Sequence, residues 1–149
     1  MTKKEKKTVI GWREYVDLPE WGIRGIRAKV DTGARTSSLH VEDVEELSGG
    51  RLSFYVVLNE KSRRRKHVVA RSIKQGKVKS SIGIQTHRWF VQTKLVIGGH
   101  VYHTEFSLVA REGMNFRMLL GRKVLEYDFL VDVEHSFLLG KNKVKVGQR

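Results

Sequence analysis

Asp31, Thr32 and Gly33 form the one tripeptide of this sequence whose residue types and setting point to acid–base chemistry. An apolar-alternating run (Ile23, Ile26, Ala28, Val30) leads straight into it, and small polar residues follow it. A strand that ends this way delivers Asp31 onto a tight turn. Glycine lets the backbone come close to whatever the carboxylate faces, and Asp and Thr side chains hydrogen-bond back to nearby amides. A carboxylate fixed by such donors is suited to holding or moving a proton. An ordinary Asx-turn uses the same residues, so the rest of the chain has to decide between the two.

Other chemistries find little footing. There is no cysteine, hence no thiolate nucleophile, no disulfide framework and no cysteine-based zinc site. No His-Glu-x-x-His occurs among the six histidines, and His100 and His103 are three apart on a predicted strand, facing opposite ways. No Gly-Lys-Ser/Thr phosphate loop and no Gly-x-Ser-x-Gly nucleophile turn is present. The expectation is therefore no metal site and no cofactor.

The elements that must position Asp31 read as β throughout. The 149 residues, 40% hydrophobic, suffice for one domain with a real core. Residues 8–17 alternate like a strand, with 18–22 as a turn, and 23–31 form the strand into Asp-Thr-Gly. Leu39–Val41 is a short strand, and the acidic stretch 42–50 reads as ending in a Ser-Gly-Gly loop. Leu52–Leu58 is β-rich, and 61–66 is a Lys/Arg cluster read as a loop. Gln75-Gly76-Lys77 and Ser80-Ser81-Ile82-Gly83 flank a short basic strand, and 88–97 with 101–109 make a hairpin around Gly98-Gly99. An apolar run at 116–120 meets Gly121 and a brief helical pattern, and 129–139 reads as a closing hairpin. About nine short strands and one short helix predict an all-β barrel or sandwich over 8–140, between a disordered basic tail at 1–7 and a basic C-terminal tail at 141–149.

The net charge is +13. Between Lys61 and Thr104 there is no Asp or Glu and there are eleven Lys and Arg, a one-signed field that concentrates anionic partners. No apolar run reaches membrane-spanning length and no signal-peptide core follows the basic N-terminus, so a cytoplasmic protein without a membrane partner is expected.

Ninety residues after the first motif comes Met118-Leu119-Leu120-Gly121-Arg122. The ordered set of strand, Asp-Thr-Gly-Ala, glycine-bearing hairpin, long hairpin and apolar-apolar-Gly-Arg resembles the retropepsin-like aspartic proteases. Within that class the chain is similar to a bacterial and archaeal family often labelled ATP-dependent zinc protease and often encoded near glutamate-ligating ATP-grasp enzymes. The resemblance runs from Ile10 to about Leu139 and includes Gly11-Trp12-Arg13-Glu14, Leu18-Pro19, Ala28 to Ser37, and Leu130-Val131-Asp132. The ATP and zinc of that label find no support in these residues.

The resemblance implies a closed or partly open retropepsin-like barrel and hydrolysis of peptide bonds by two carboxylates that share a proton. With one Asp-Thr-Gly per chain, the second Asp31 comes from a second copy, so a C2 homodimer is expected. Asp31 then does the chemistry, Thr32 carries an inter-subunit hydroxyl lock, and Gly33 supplies an amide near the carboxylates. Ala34 and the flap-like hairpin residues Lys79, Ser80, Ser81 and Gly83 contact substrate, while Gly121 and Arg122 buttress the turn. Viral members place an acidic residue two after the glycine to pair with the arginine that Arg122 resembles. Here that residue is Arg35, so Arg122 is expected to turn to Asp132 or Asp128 or stay solvated. The acid-free span favours acidic or glutamate-modified peptides as substrates. Two other readings carry weight. One is a catalytically silent peptide-binding module on the same fold. The other is a basic RNA- or ribosome-binding β-domain using Arg63–Lys66 and Arg88-Trp89-Phe90, a partner class less favoured because it leaves both motifs unused.

Overall fold

Among the described residues, alternating apolar side chains resolve into ten strands and one four-residue α-helix: β1 (Thr8–Gly11), β2 (Arg13–Leu18), β3 (Ile23–Val30), β4 (Ser37–Leu47), β5 (Arg51–Asn59), β6 (Arg64–Lys79), β7 (Gln85–Ile97), β8 (His100–Val109), β9 (Met118–Leu120), α1 (Arg122–Leu125) and β10 (Phe129–Asp132). The computed structural model describes residues 6–59, 61–79, 83, 85–110 and 116–141, with backbone alone for 77–79 and 85–87. Much of both expected tails, together with Ser80 and Ser81, lies outside the described residues.

Eight strands form one sheet in the order β2-β3-β9-β4-β5-β6-β7-β8, and further pairings of β2 with β7 and of β4 with β8 bend it into a ring. The fold is the expected all-β barrel with a short helix near its C-terminal end. Inward-pointing side chains of successive strands fill the ring, among them the fully buried Leu39, Phe54, Leu95, Phe106, Met118 and Leu120. Strands β1 and β10 pair in parallel as a separate two-stranded sheet.

Several local expectations need correction. The strand expected over 8–17 breaks at Trp12, whose N–H donates to the His135 carbonyl and whose carbonyl accepts the Val30 N–H. Both groups leave the β1–β2 line, so the chain starts a new strand. The acidic stretch is strand: β4 continues to Leu47, with Glu42 opposite Tyr55 and Glu45 opposite Ser53, and only 48–50 turn. Charge on the outer face of a strand is compatible with pairing when Val41 is buried on the inner one. The basic cluster 61–66 is a turn only over 61–63. Arg64 opens β6, and Arg65 is held by Glu42 and Asp43 at 3.1 and 2.9 Å. Gln75-Gly76-Lys77 does not flank a strand but lies within one, since β6 runs through it in register with β7. Gly76 is there for close approach: an added Cβ would lie 3.0 Å from the Phe90 ring.

The closing hairpin is absent as such. β10 pairs with β1, and the segment after it is fastened by a side chain that sequence reading passed over. The Glu14 carboxylate is fully buried and accepts the N–H groups of Gly11, Leu138 and Leu139 at 2.8, 2.9 and 3.1 Å. His40 is a buried strand residue with its Nδ1 3.0 Å from the Arg117 guanidinium. No helix among the described residues is long and apolar enough to cross a membrane, which says nothing of strand-built spans.

Candidate active site

Strand β9 is only three residues long, yet it organises the site. It lies between β3 and β4, the two strands that the Asp-Thr-Gly turn joins. It runs parallel to β3 (Ala28 beside Met118, Val30 beside Leu120) and antiparallel to β4 (Ser38 beside Leu119, Leu39 beside Met118). Two strands consecutive in sequence are thereby held one strand apart, and residues 31–36 span the gap.

Within that span each atom is constrained. The Asp31 N–H donates to the Leu120 carbonyl at 2.9 Å, and the Asp31 carbonyl accepts the Ala34 N–H at 3.2 Å. Carboxylate atom Oδ1 accepts the Gly33 N–H at 3.0 Å. The other oxygen has no hydrogen-bond partner among the described residues, and the half-buried side chain keeps it accessible. An added Cβ on Gly33 would stand 3.3 Å from Oδ1, so the absence of a side chain is what permits this approach. The turn combines an Asx bond with a backbone bond to a neighbouring strand, more constraint than an isolated Asx-turn carries.

Gly121 and Arg122 support the turn, through contacts the sequence did not indicate. The Arg122 guanidinium donates to the Thr32 carbonyl at 2.9 Å. Asp128 instead takes the Tyr102 hydroxyl, and Asp132 takes the His135 ring. Arg35 removes the acidic partner, and a main-chain oxygen of the turn replaces it. Backbone bonds run from the Arg122 N–H to the Ala34 carbonyl at 2.8 Å and from the Lys123 N–H to the Arg35 carbonyl at 3.0 Å. The buried Gly121 N–H donates to Ser37 Oγ at 3.0 Å. Ser37 closes the first motif, and its buried hydroxyl ties the two motifs together. Ser38 Oγ meets Ser107 Oγ at 2.8 Å on β8.

The flap-like hairpin is present in outline. β6 and β7 stay paired from Ser72 opposite Val91 to Lys79 opposite Gln85. Lys79 is the last residue of β6, and Gly83 sits exposed in the connection at φ 85°, a left-handed conformation glycine adopts freely. Ala34 is half-buried in the turn, and Thr32 and Gly33 are exposed.

This geometry has relatives. The sequence matches, over residues 9–142, the RimB-like family, described as retropepsin-like aspartic endopeptidase RimB. The chain belongs to that family. A protein of Shewanella halifaxensis named probable alpha-L-glutamate ligase is 34% identical over 149 residues, covering 97% of this chain and 32% of its own length. One of Parasynechococcus marenigrum with the same name is 35% identical over 143 residues, covering 91% and 30%. The chain thus spans about a third of the length of the curated relatives it matches. The crystal structure of a protein Lpg0085 with unknown function from Legionella pneumophila superposes with a TM-score of 0.73 at 24% identity, over 90% of this chain and 99% of that one. That likeness concerns the fold alone.

Two further clusters in this RimB-like chain lie outside the sequence-based site. Glu105 on β8 accepts from Lys123 of α1 and from Lys74 of β6, the latter at 3.3 Å. The Lys123 ammonium, with Lys74 behind it, holds the Glu105 carboxyl below the usual carboxylate range against partial burial. This bridge joins the helix under the Asp31 turn to the strand that rises into the hairpin. Beside it an open groove of about 560 Å³ is lined by Ile73, Gln92, Tyr102 and Lys123 among others, none from the Asp31 turn. Asp132, Glu134 and His135 form the second cluster, with ligand-type atoms within 4.8 Å of one another. Asp132 accepts the Glu134 N–H and faces His135 Nδ1 at 2.7 Å, and the first of these contacts does most to hold its carboxyl low. Those bonds account for the arrangement without an ion. Sequence pattern could not flag the first cluster, which joins residues of β6, β8 and α1, whereas the second lies within four consecutive positions, 132–135.

Proposed function

We propose that this chain is an aspartic peptidase whose catalytic pair is Asp31 and the partner's Asp31 in a C2 homodimer. The observation that carries the reading is the Asp31 turn: one accessible carboxylate oxygen, the other bonded to Gly33, and the turn locked from behind by Leu120 and Arg122. Two such carboxylates about 3 Å apart cannot both ionise readily, so the pair holds one proton between them. The ionised member takes a proton from water, whose oxygen bonds to the scissile carbonyl carbon, and the protonated member gives its proton to the carbonyl oxygen. The gem-diol then collapses as a proton passes to the amide nitrogen and the C–N bond breaks, with no covalent enzyme intermediate. The pair titrates as a unit.

A second copy is also supported by surface composition. Of eight exposed large apolar side chains among the described residues, four (Val9, Tyr127, Leu130 and Val133) lie on or within two residues of β1 and β10. That sheet adjoins Trp12, whose carbonyl takes the Val30 N–H beside the turn. Apolar concentration of this kind marks association surfaces. Acidic or glutamate-modified peptides fit as substrates: the +13 chain carries an acid-free span across its hairpin, and relatives three times as long are named glutamate ligases.

The deciding experiment is cleavage of glutamate-rich and neutral peptides across about pH 4–8 by wild type and Asp31→Asn, with and without a chelator. The expected result is cleavage abolished in Asp31→Asn and indifferent to chelator. Cleavage that survives Asp31→Asn refutes the reading, and a dimer that cuts nothing makes the chain a peptide-binding module.

A further inference from the structure

Arg13 and Lys29 stand directly opposite one another in the β2–β3 ladder, so they share its outer face, with Tyr15 and Arg27 as the next pair along. The inner face of the same ladder carries Glu14, Val16, Ile26 and Ala28, all buried. The Arg13 guanidinium is fixed in an unusual way. It lies 4.2 Å from the centre of the Trp12 ring and 5.2 Å from that of Phe137, and one terminal nitrogen donates to Ser136 Oγ at 3.3 Å. Its Nε is buried without a hydrogen-bond partner. The Lys29 ammonium rests 5.6 Å from the centre of the Phe116 ring.

Neither cation has a carboxylate within ion-pair distance among the described residues. The acidic side chains of β2 are already used: Glu14 by three backbone amides and Asp17 by the Gly25 N–H. Ring contacts fix the orientation of a guanidinium while leaving its charge uncompensated. Lys29 is two residues from Asp31 on the same strand end, and the Trp12 carbonyl is bonded to Val30 between them. Two oriented cations with no carboxylate partner among the described residues therefore sit next to the Asp31 turn.

We propose that Arg13 and Lys29 form a carboxylate-binding subsite of the Asp31 centre, which takes an acidic side chain of an extended peptide. The placement beside a scissile bond rests on the peptidase reading, whereas carboxylate binding rests on these residues alone. A planar guanidinium pairs with a carboxylate through two donors, and an opposing ammonium adds a second, undirected contact. A nucleic-acid strand suits the face less well. Its bases need open ring faces, and here Arg13 covers Trp12 while Tyr15 and Phe137 stack on one another with centroids 4.4 Å apart.

The test uses the full Asp31→Asn chain, so that binding is read without cleavage, and fluorescein-labelled hexaglutamate and hexaglutamine as probes in fluorescence anisotropy. Hexaglutamate is expected to bind about tenfold or more tighter than its uncharged isostere. Lys29→Gln and Arg13→Gln should each reduce that advantage about fivefold, Arg13→Lys should retain part of it, and Arg24→Gln, an exposed cation at the opposite end of β3 and outside the acid-free span, should leave it within about twofold. Lys29→Gln alters an exposed side chain, so its loss cannot be assigned to misfolding. Equal binding of the two peptides, no binding of hexaglutamate, an equal effect of Arg24→Gln, or tighter binding of a ten-residue oligouridylate would each overturn the subsite. Selective hexaglutamate binding by Asp31→Asn, combined with a wild type that cleaves no peptide, would leave the subsite standing and remove the peptidase reading.

Discussion

Replacing Gly121 by alanine would place a methyl carbon 2.7 Å from the Thr36 carbonyl carbon, 2.8 Å from the Arg35 carbonyl oxygen and 2.9 Å from the Arg35 carbonyl carbon. Gly121 has φ −89° and ψ 175°, which alanine adopts without strain, so the whole effect comes from this overlap. All three atoms are main chain and cannot rotate aside. Restoring an ordinary contact of 3.4 Å moves the 35–36 backbone by about 0.7 Å (3.4 less 2.7). That backbone is pinned to the helix start by the Ala34, Arg35 and Ser37 hydrogen bonds, so the turn must give as a unit. Overpacking by one methyl group against fixed atoms costs about 2 kcal/mol, which at this chain length lowers Tm by about 4–8 °C. Displacement of a catalytic group by a sizeable fraction of an ångström costs about a hundredfold in kcat/KM. Thermal denaturation and peptide cleavage at 25 °C measure the two separately. Gly49→Ala is the control: nothing lies within 4 Å of its added carbon and only its φ of +77° is strained, so it should lose about 1 kcal/mol and no activity. Gly121→Ala with full activity, whatever its Tm, would refute the claim that the 121–123 segment sets the Asp31 turn.

Arg122→Ala removes an exposed bond to the Thr32 carbonyl; stability should change by less than about 1 kcal/mol while cleavage falls about tenfold or more, and unchanged turnover would count against its positioning role. Glu14→Gln leaves a buried site with one donor pair facing amides that need acceptors, so urea denaturation should show a loss of about 2–3 kcal/mol. Hydrogen exchange in the same variant should speed up first at Leu138 and Leu139. Glu105 has a carboxyl lowered by Lys123, so its contribution is complete above the ordinary carboxylate range and disappears as pH falls through the lower folded value. The stability gap between wild type and Glu105→Gln should therefore be full at neutral pH and close as pH falls through and below the ordinary carboxylate range, and a gap that stays constant throughout that fall would contradict the assignment.

The parts of the site legible in the sequence were those with a local cause. An apolar run into Asp-Thr-Gly predicts a strand followed by a tight turn, because each residue there restricts its own backbone. Ile97 and His100 flank a Gly-Gly turn for the same reason. What remained hidden depends on partners remote in sequence. The acidic half of β4 reads as loop until β5 supplies hydrogen bonds on one side and takes Val41 against Val56. Gly76 looks like a turn residue until Phe90 arrives across the ladder. Arg122 reads as a partner for a carboxylate or for solvent because charge is visible in a sequence, whereas the Thr32 carbonyl that it binds is a group every residue carries. Glu14 was missed for the same reason, since its three partners are backbone amides.

The insertion of β9 between β3 and β4 also governs when the centre can exist. Val30 and Leu120 are neighbours in space and ninety positions apart in sequence, and parallel pairing at such separation is among the slower events of folding. During synthesis, the Asp31 loop emerges long before the strand that gives its amide an acceptor and the arginine that grips its Thr32 carbonyl. A nascent chain that stops short of Arg122 presents Asp31 on an unbraced hairpin. On the peptidase reading, the centre thus stays unassembled until residues 118–122 have been made, with the order of residues along the chain acting as the timer.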